Sequence, residues 1–271
     1  MIRFLILAGY FELTMYLQLS GKLNQYINLH YSYLAYISMF LSFVLALVQL
    51  IIWVKQMKIH SHLSGFWAKV ASIFLLCIPL FVGLFFPTVT LDSQTVSAKG
   101  YHFPVAAGSS KEIQQDEGTT TQYLKPDTSS YFTKSAYESE MKQAAKKYVD
   151  KKVIQVTTEN YMEVMEVIYD YPDQFAGKTI ELTGFVYNDP NNKDSQFLFR
   201  FGIIHCIADS GVYGLLTTGA PQHFENNTWI HAKGTLSIEY HKQLKQSLPV
   251  LHIIDCQTIT KPDNPYVYRV F

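Results

Sequence analysis

Residues 197–216 read FLFRFGIIHCIADSGVYGLL, two apolar runs joined by a short polar connection. In the first run Phe197, Phe199 and Phe201 alternate with residues that are themselves mostly apolar. This pattern predicts a strand that is covered on both faces. The connection that follows contains His205-Cys206 and an Asp209-Ser210-Gly211 corner. Because functional side chains occur more often in connections than in the strands they join, we expect any site of this region to lie here.

Further β-rich runs surround this stretch, separated by turn sequences rich in Asn, Asp, Gly and Pro. With the run already described they make five predicted strands, at residues 179–187, 196–204, 213–217, 228–240 and 250–259. A helix is expected before them, capped at Thr157 and ended by Pro172. Five strands in about 100 residues suit a small closed barrel of the OB type, since closure removes exposed sheet edges. Residues 153–271 are therefore predicted to form an OB-like, mainly β domain.

Residues 89–152 precede this domain and are predicted to be a linker. Their last part, residues 133–152, has apolar residues at near-helical spacing and lysines over the remaining surface, which predicts an amphipathic lysine-rich helix. Such a helix can lie on an anionic membrane surface. Its apolar face is weak, however, so a solvated spacer is the favoured interpretation.

Three long apolar runs fill residues 1–88, at 2–19, 33–54 and 66–87. Each approaches or exceeds the roughly 20 residues that a helix needs to cross the hydrocarbon of a bilayer. The first run competes with a signal peptide. It contains Glu12 and is followed by Ser20-Gly21-Lys22-Leu23 instead of a small-residue cleavage site, so an uncleaved helix is favoured. We expect a membrane region of three helices.

The orientation of these spans follows from their basic residues, because short loops rich in Lys and Arg stay on the cytoplasmic side. Arg3 marks the amino terminus as cytoplasmic, and Lys55, Lys58 and Lys69 mark the connection between spans two and three. Three crossings of the cell membrane then place the β domain outside the cytoplasm.

Charge and composition exclude several classes of function. The chain has 22 basic and 22 acidic residues, which leaves no electrostatic footprint for nucleic acid. No nucleophile, base and orienting group can be assembled from spacing, so we do not expect an enzyme.

Five side chains are candidate ligands: His205, Cys206, Asp209, His252 and Cys256. Neutral imidazole and thiolate suit zinc or copper, and His205, Cys206 and Cys256 are the predicted metal ligands. His252 and Cys256 are four apart in one predicted strand, so they are expected on the same face. Two alternatives stay open. One is a Cys206–Cys256 disulfide, which an extracytoplasmic compartment permits, and the other is a pair of ordinary buried thiols.

Glu12 is a candidate residue of a partner interface. A carboxylate about 13 Å along a helix of 1.5 Å per residue lies inside the hydrocarbon, where it must be paired, protonated or in contact with a partner. The alternative is a shallow or tilted span in which Glu12 reaches water.

The whole layout resembles the YcgQ-like bacterial membrane protein family, described as the small subunit of a predicted two-component permease. The resemblance lies in residues 20–23 (SGKL) with Tyr26-Ile27, residues 177–186 (GKTIELTGFV) and residues 200–209 (RFGIIHCIAD). It implies two adjacent cysteines where this chain has His205-Cys206. A ligand type is therefore kept here while a vicinal cysteine pair is not, which favours metal handling over redox chemistry.

The resemblance also implies a larger permease-like membrane subunit as the partner. We therefore expect an accessory subunit whose outer domain binds or presents a solute, with a transition metal as one candidate. The alternative function is an outward-facing binding or sensing module for a cell-envelope ligand, without a role in transport. Solvent-facing aromatic rows on the barrel would favour this alternative.

Overall fold

The computed structural model describes residues 1–57, 65–86, 89–101, 134–190, 196–241 and 246–269. The chain divides into two compact units, Met1–Thr90 and Leu91–Phe271. The first unit is helical, and the second contains a sheet together with further helices. The helices of the first unit are α1 (Ile2–Leu19), α2 (Ser32–Val54) and α3 (Phe66–Phe85). Those of the second unit are α4 (Ser93–Lys99), α5 (Lys134–Val149), α6 (Tyr161–Asp170) and α7 (Pro172–Phe175).

Helices α1, α2 and α3 are each long and apolar enough to cross a membrane. The three predicted spans are thus confirmed by length and composition. Their large apolar side chains lie mostly at the surface, as Phe40 of α2 does with 64% exposure. Helices α1 and α3 pack closely, because a Cβ added at Gly9 would lie 3.0 Å from Leu80 and one at Gly83 would lie 2.9 Å from Leu13. Small residues of this kind let helix backbones approach each other inside membranes.

The second unit contains all seven described strands. They are β1 (Val153–Gln155), β2 (Thr179–Asn188), β3 (Gln196–Ile203), β4 (Gly211–Thr218), β5 (Trp229–His241), β6 (Gln246–Thr258) and β7 (Tyr266–Tyr268). The five predicted strands correspond to β2 through β6, so the mainly β prediction is confirmed. Strands β1 and β7 have three residues each and are too short to give a periodic signal.

The strands form one mixed sheet of order β1-β2-β5-β6-β4-β3-β7, with a further pairing of β2 with β3. That pairing joins β2 through β6 in a continuous ring. The neighbours in the ring are antiparallel, except that β4 and β6 are parallel. Strands β1 and β7 add to the outside of this ring as parallel partners of β2 and β3.

Strand β3 is buried along its whole length, as its double apolar pattern predicts. One set of its side chains, including Leu198, belongs to a core that also contains residues of α5 and α6. The other set, including Phe197, Phe199 and Phe201, belongs to a second core with Trp229. Each face of the strand therefore has its own covering layer.

Helix α5 contributes to the first core, so the expected solvated spacer is wrong. Its apolar stripe, Met141, Ala144, Ala145 and Tyr148, is at most 5% exposed. Beside the stripe, Glu163 of α6 accepts a hydrogen bond from the Tyr148 hydroxyl at 2.6 Å. Small alanines make this stripe weak on a hydropathy scale, yet they let α5 pack tightly on α6.

Residues 91–101 form the cover of the second core. Val96 of α4 is 1% exposed there, and Leu91 and Tyr101 pack beside it. The Tyr101 hydroxyl donates a hydrogen bond of 2.8 Å to the buried carboxylate of Asp189. This part of the predicted linker is therefore packed on the sheet, while residues 102–133 of that linker lie outside the described residues.

Candidate functional site

The connection after β3 is organised by the carboxylate of Asp209. It accepts hydrogen bonds from the backbone N–H groups of His205, at 3.0 Å, and Cys206, at 2.9 Å. Its Oδ2 atom also lies 2.7 Å from Nδ1 of His205. The sequence folds this way because Asp209 ends a single 3-10 turn, Ile207–Asp209. This turn brings the Asp209 side chain back to His205 and Cys206, the two residues before the turn. Of the five candidate ligands, Asp209 thus bonds the side chain of His205 and the backbone of Cys206.

This arrangement fixes the chemistry of the His205 imidazole. A carboxylate only accepts hydrogen bonds, so Nδ1 carries the proton in the neutral ring and Nε2 has the lone pair. Carboxylates orient metal-binding histidines in this way. The His205 side chain is 52% exposed, and Cys206 beside it is half-buried. The turn is therefore able to present an oriented imidazole to a ligand from solution.

His252 belongs to a different polar cluster, where β4, β5 and β6 meet. Its Nδ1 atom lies 2.7 Å from the Thr218 hydroxyl, and its Nε2 atom lies 2.8 Å from the Ser237 hydroxyl and 2.6 Å from Oε1 of Glu239. Both ring nitrogens are already engaged, so His252 is held as part of a surface network.

Cys256 lies on the other face of the sheet from His252, so the prediction that the two share a face is wrong. The pairing of β5 with β6 shifts at Lys233/Gly234, and Ile254 is the extra residue in β6. One inserted residue reverses the alternation of every side chain beyond it. Cys256 consequently packs against the first core, whereas Ile254 is 69% exposed.

The β domain contains two cysteines, Cys206 in the turn after β3 and Cys256 in β6. Burial raises the pKa of the Cys256 thiol, and the nearby charge of Asp255 raises it further. Cys206 and Cys256 are both free thiols, so the alternative of a disulfide is not formed in the structure. Within the described ranges no three His, Cys, Asp or Glu side chains gather as a metal site. A site made by His205, Cys206 and Cys256 stays a prediction.

Arg200 is a residue whose role the sequence reasoning missed. It is 3% exposed in the middle of β3. Its guanidinium donates to the carbonyl oxygens of residues 264–266 at 3.0–3.2 Å and to the Thr158 hydroxyl at 3.0 Å, and it lies over the rings of Tyr161 and Trp229. Burial lowers its pKa from the usual value. A single charge inside an apolar strand was the signal, since such a charge must be fully bonded.

Glu12 lies on the exposed surface of α1, near the middle of the helix. Among the described residues it has neither a hydrogen bond nor an ion pair. By contrast, Tyr10 two residues earlier donates a hydrogen bond to the carbonyl of Leu76 in α3. The Glu12 carboxylate is therefore exposed on a helix whose neighbouring Tyr10 and Phe11 side chains contact α3 and α2.

The similarity of this chain to known proteins extends over its whole length. Residues 2–102 match the DUF1980 N-terminal domain, and residues 131–269 match the DUF1980 C-terminal domain. A protein of Streptococcus mutans, named "Putative two-component membrane permease complex subunit", is 67% identical over the full length of both chains. The UPF0703 protein YcgQ of Bacillus subtilis is 40% identical, again over both full lengths. No solved structure matches. The chain belongs to the DUF1980 family.

Proposed function

We propose that this chain is a non-enzymatic accessory subunit of a membrane permease complex, and that its β domain lies outside the cytoplasm and binds or presents a solute. The name of the Streptococcus mutans relative supports a role in such a complex, because that relative is similar along its whole length. Three apolar helices suit a membrane subunit. The basic residues Arg3, Lys55 and Lys69 support a cytoplasmic amino terminus.

The observation that carries this proposal is the exposed acidic side chain of Glu12 on the apolar helix α1. An ionisable side chain in the hydrocarbon costs free energy, at least about 2.5 kcal/mol for an acidic residue at the helix centre on insertion scales. Glu12 has no partner among the described residues that would offset this cost. A larger membrane subunit that supplies a hydrogen-bond donor or a cation to α1 would do so. Glu12 is therefore the proposed centre of the subunit interface.

The test is a pull-down from membranes with the tagged chain. Glu12→Leu should leave the chain inserted, since Leu is favoured in the bilayer, and should lower recovery of the partner at least tenfold if the interface bond contributes about 1.4 kcal/mol or more. Met15→Ala is the matched control, because Met15 is also exposed on α1 but is apolar. Equal recovery with Glu12→Leu and Met15→Ala would remove Glu12 from the interface.

A barrel of the OB type is the second part of the proposal. The ring of pairings from β2 to β6, with its one parallel pair, supports a closed five-stranded barrel. The aromatic side chains Tyr187, Phe197 and Phe199 are at most 2% exposed, whereas Tyr240 of β5 is 63% exposed. One exposed ring is not a row, so the described sheet surface gives a module that stacks a cell-envelope ligand little support.

We place solute binding at the turn of His205, Cys206 and Asp209, with zinc or copper as the ion to try first. Support comes from the exposed, carboxylate-bound imidazole and the adjacent thiol. If the turn binds metal with Cys206, binding should release protons and weaken as pH falls through the imidazole range. Recruitment of Cys256 would require its thiol to leave the first core.

Thiol labelling of the full-length protein during zinc or copper titration tests this site. Metal should protect Cys206 from labelling, and His205→Ala should weaken that protection at least tenfold. His231→Ala is the control, because His231 also bonds a carboxylate, Glu181, at 3.0 Å but has no adjacent cysteine. If metal does not change the labelling of Cys206, Cys206 is an ordinary thiol and the turn is not a metal site. If neither Cys206 nor Cys256 is labelled without reductant, the two cysteines form the disulfide that was the alternative.

A further inference from the structure

The helical unit contains a groove where the start of α1, the end of α2 and the start of α3 meet. Its volume is about 1100 Å³. These three ends lie on one side of the bundle because α2 runs opposite to α1 and α3. No residue of the subunit interface proposed above lines the groove, so it calls for a separate account.

The groove has an apolar wall and a cationic rim. Side chains from all three helices form the wall, among them Ile6, Ile52 and Ile73. Arg3 and Lys69 are the charged residues of its lining, and both are exposed. The arrangement therefore places two positive charges beside a continuous hydrocarbon surface.

Negative charge is scarce in this unit. Within residues 1–90 the sequence has five basic residues and a single acidic one, Glu12, which does not line the groove. Arg3 and Lys69 have no ion pair within the described part of the chain. Two cations at the end of membrane helices, without an acidic residue between them, attract an anion that is itself held at the membrane surface.

We propose that this groove is a binding site for an anionic phospholipid. The headgroup phosphate contacts Arg3 and Lys69, and one acyl chain lies along the wall of Ile6, Ile52 and Ile73. A phospholipid matches the groove because its anionic headgroup can lie at the cationic rim while its attached acyl chain lies along the apolar wall. Basic pockets between membrane helices recognise anionic headgroups in this way. Gln56 and Ser72, which also line the groove, supply hydrogen-bonding groups near the rim.

Native mass spectrometry of the full-length protein in detergent tests the site, with phosphatidylglycerol and phosphatidylcholine as probes. The wild-type chain should retain phosphatidylglycerol in preference to phosphatidylcholine. The double variant Arg3→Gln/Lys69→Gln should bind phosphatidylglycerol roughly thirtyfold more weakly, since each basic side chain near a headgroup contributes about fivefold. Ser72→Phe should also weaken binding, because it fills the groove without a change of charge.

Lys22→Gln/Lys55→Gln is the matched control. It removes the same charge from the helical unit at two residues outside the groove lining. An equal loss of phosphatidylglycerol with this control would show general attraction to the surface and overturn the site. Unchanged binding in Ser72→Phe, or equal retention of the two lipids by the wild-type chain, would also overturn it. Cross-linking of Ser72→Cys to a protein subunit in membranes, with no lipid retained, would assign the groove to that subunit instead.

Discussion

The two units of the chain distribute phenylalanine in opposite ways. Phe40 and Phe74 of the helical unit are 64% and 66% exposed, whereas Phe197 and Phe199 of the sheet unit are 0% exposed. Polar residues show the reverse. Glu12 lies exposed on α1 and has no partner among the described residues, while Arg200 is buried in β3 with four hydrogen bonds. The sheet unit thus buries its phenylalanines away from water, while the helical unit exposes its phenylalanines as a lipid-facing surface does. Glu12 and Arg200 are each placed against the preference of their surroundings.

The largest expected effect comes from a matched pair of Phe→Ala substitutions, one in each unit. Phe199→Ala should destabilise the sheet unit by about 3–5 kcal/mol, because it leaves a cavity among stacked rings. For a unit of this size that corresponds to a loss of roughly 10 °C in the thermal midpoint. Phe40→Ala removes the same atoms from the surface of α2 and should cost less than about 0.5 kcal/mol.

Near-ultraviolet circular dichroism of the full-length chain in detergent measures both effects, since it reports the packing of aromatic rings. Similar midpoints for the two variants would mean that the rings of the second core contribute no more than exposed ones do. A large loss with Phe40→Ala would instead show that α2 is packed against protein in the purified state.

Glu166 is a buried acidic residue of the sheet unit, and its titration should make the stability of that unit depend on pH. It is 4% exposed in α6 and lies 3.4 Å from the Arg269 guanidinium. Burial raises its pKa to about 7, although Arg269 acts in the opposite direction. A carboxyl pKa raised on folding stabilises the fold fully below the unfolded value of 4.5, and this stability is lost as pH rises through about 7. The sheet unit should therefore lose about 3 kcal/mol between pH 4.5 and pH 7 from this group.

Thermal midpoints of wild type and Glu166→Gln across this pH range check the assignment. The variant should remove most of the slope. Glu163→Gln, which changes a more exposed carboxylate bonded to Lys147, should keep it. A slope that survives in Glu166→Gln would mean that another group titrates.

The smallest expected effect concerns residues 91–101, the segment through which the sheet unit begins. Val96→Ala removes two carbon atoms from a site that is 1% exposed and should cost about 2 kcal/mol. Because the loss is local, hydrogen exchange of residues 93–101 should accelerate more than that of β3. Gln94→Ala, an exposed change in the same helix, should leave exchange unaltered. Uniform acceleration throughout the sheet would show that the segment unfolds only together with the whole unit.

Features with a local signal could be read from the sequence. The three spans follow from length and hydropathy, and β2 through β6 follow from alternation and turn residues. The turn of His205, Cys206 and Asp209 could also be predicted, because its members lie within five residues. Their assembly by one carboxylate is a short-range effect that the sequence already suggests.

Features that depend on register or on distant contacts could not. The extra residue Ile254 reverses the faces of His252 and Cys256, and alternation by itself does not reveal it. Gly234 opposite was a usable signal, since a Cβ there would lie 2.3 Å from the His252 carbonyl oxygen. The four acceptors of Arg200 are 42–66 residues away in the chain, so the sequence shows only that a buried guanidinium needs acceptors, not where they lie.

The contacts of Arg200 tie residues 264–268 to the interior of the sheet unit. Three of the four acceptors of Arg200 belong to residues 264–266, and β7, which begins at Tyr266, pairs with β3. A chain that ends before residue 264 still contains β3, yet it leaves the Arg200 guanidinium in an apolar interior with most of its donors unsatisfied. We therefore expect truncation near residue 260 to destabilise the sheet unit by more than the loss of a three-residue strand would.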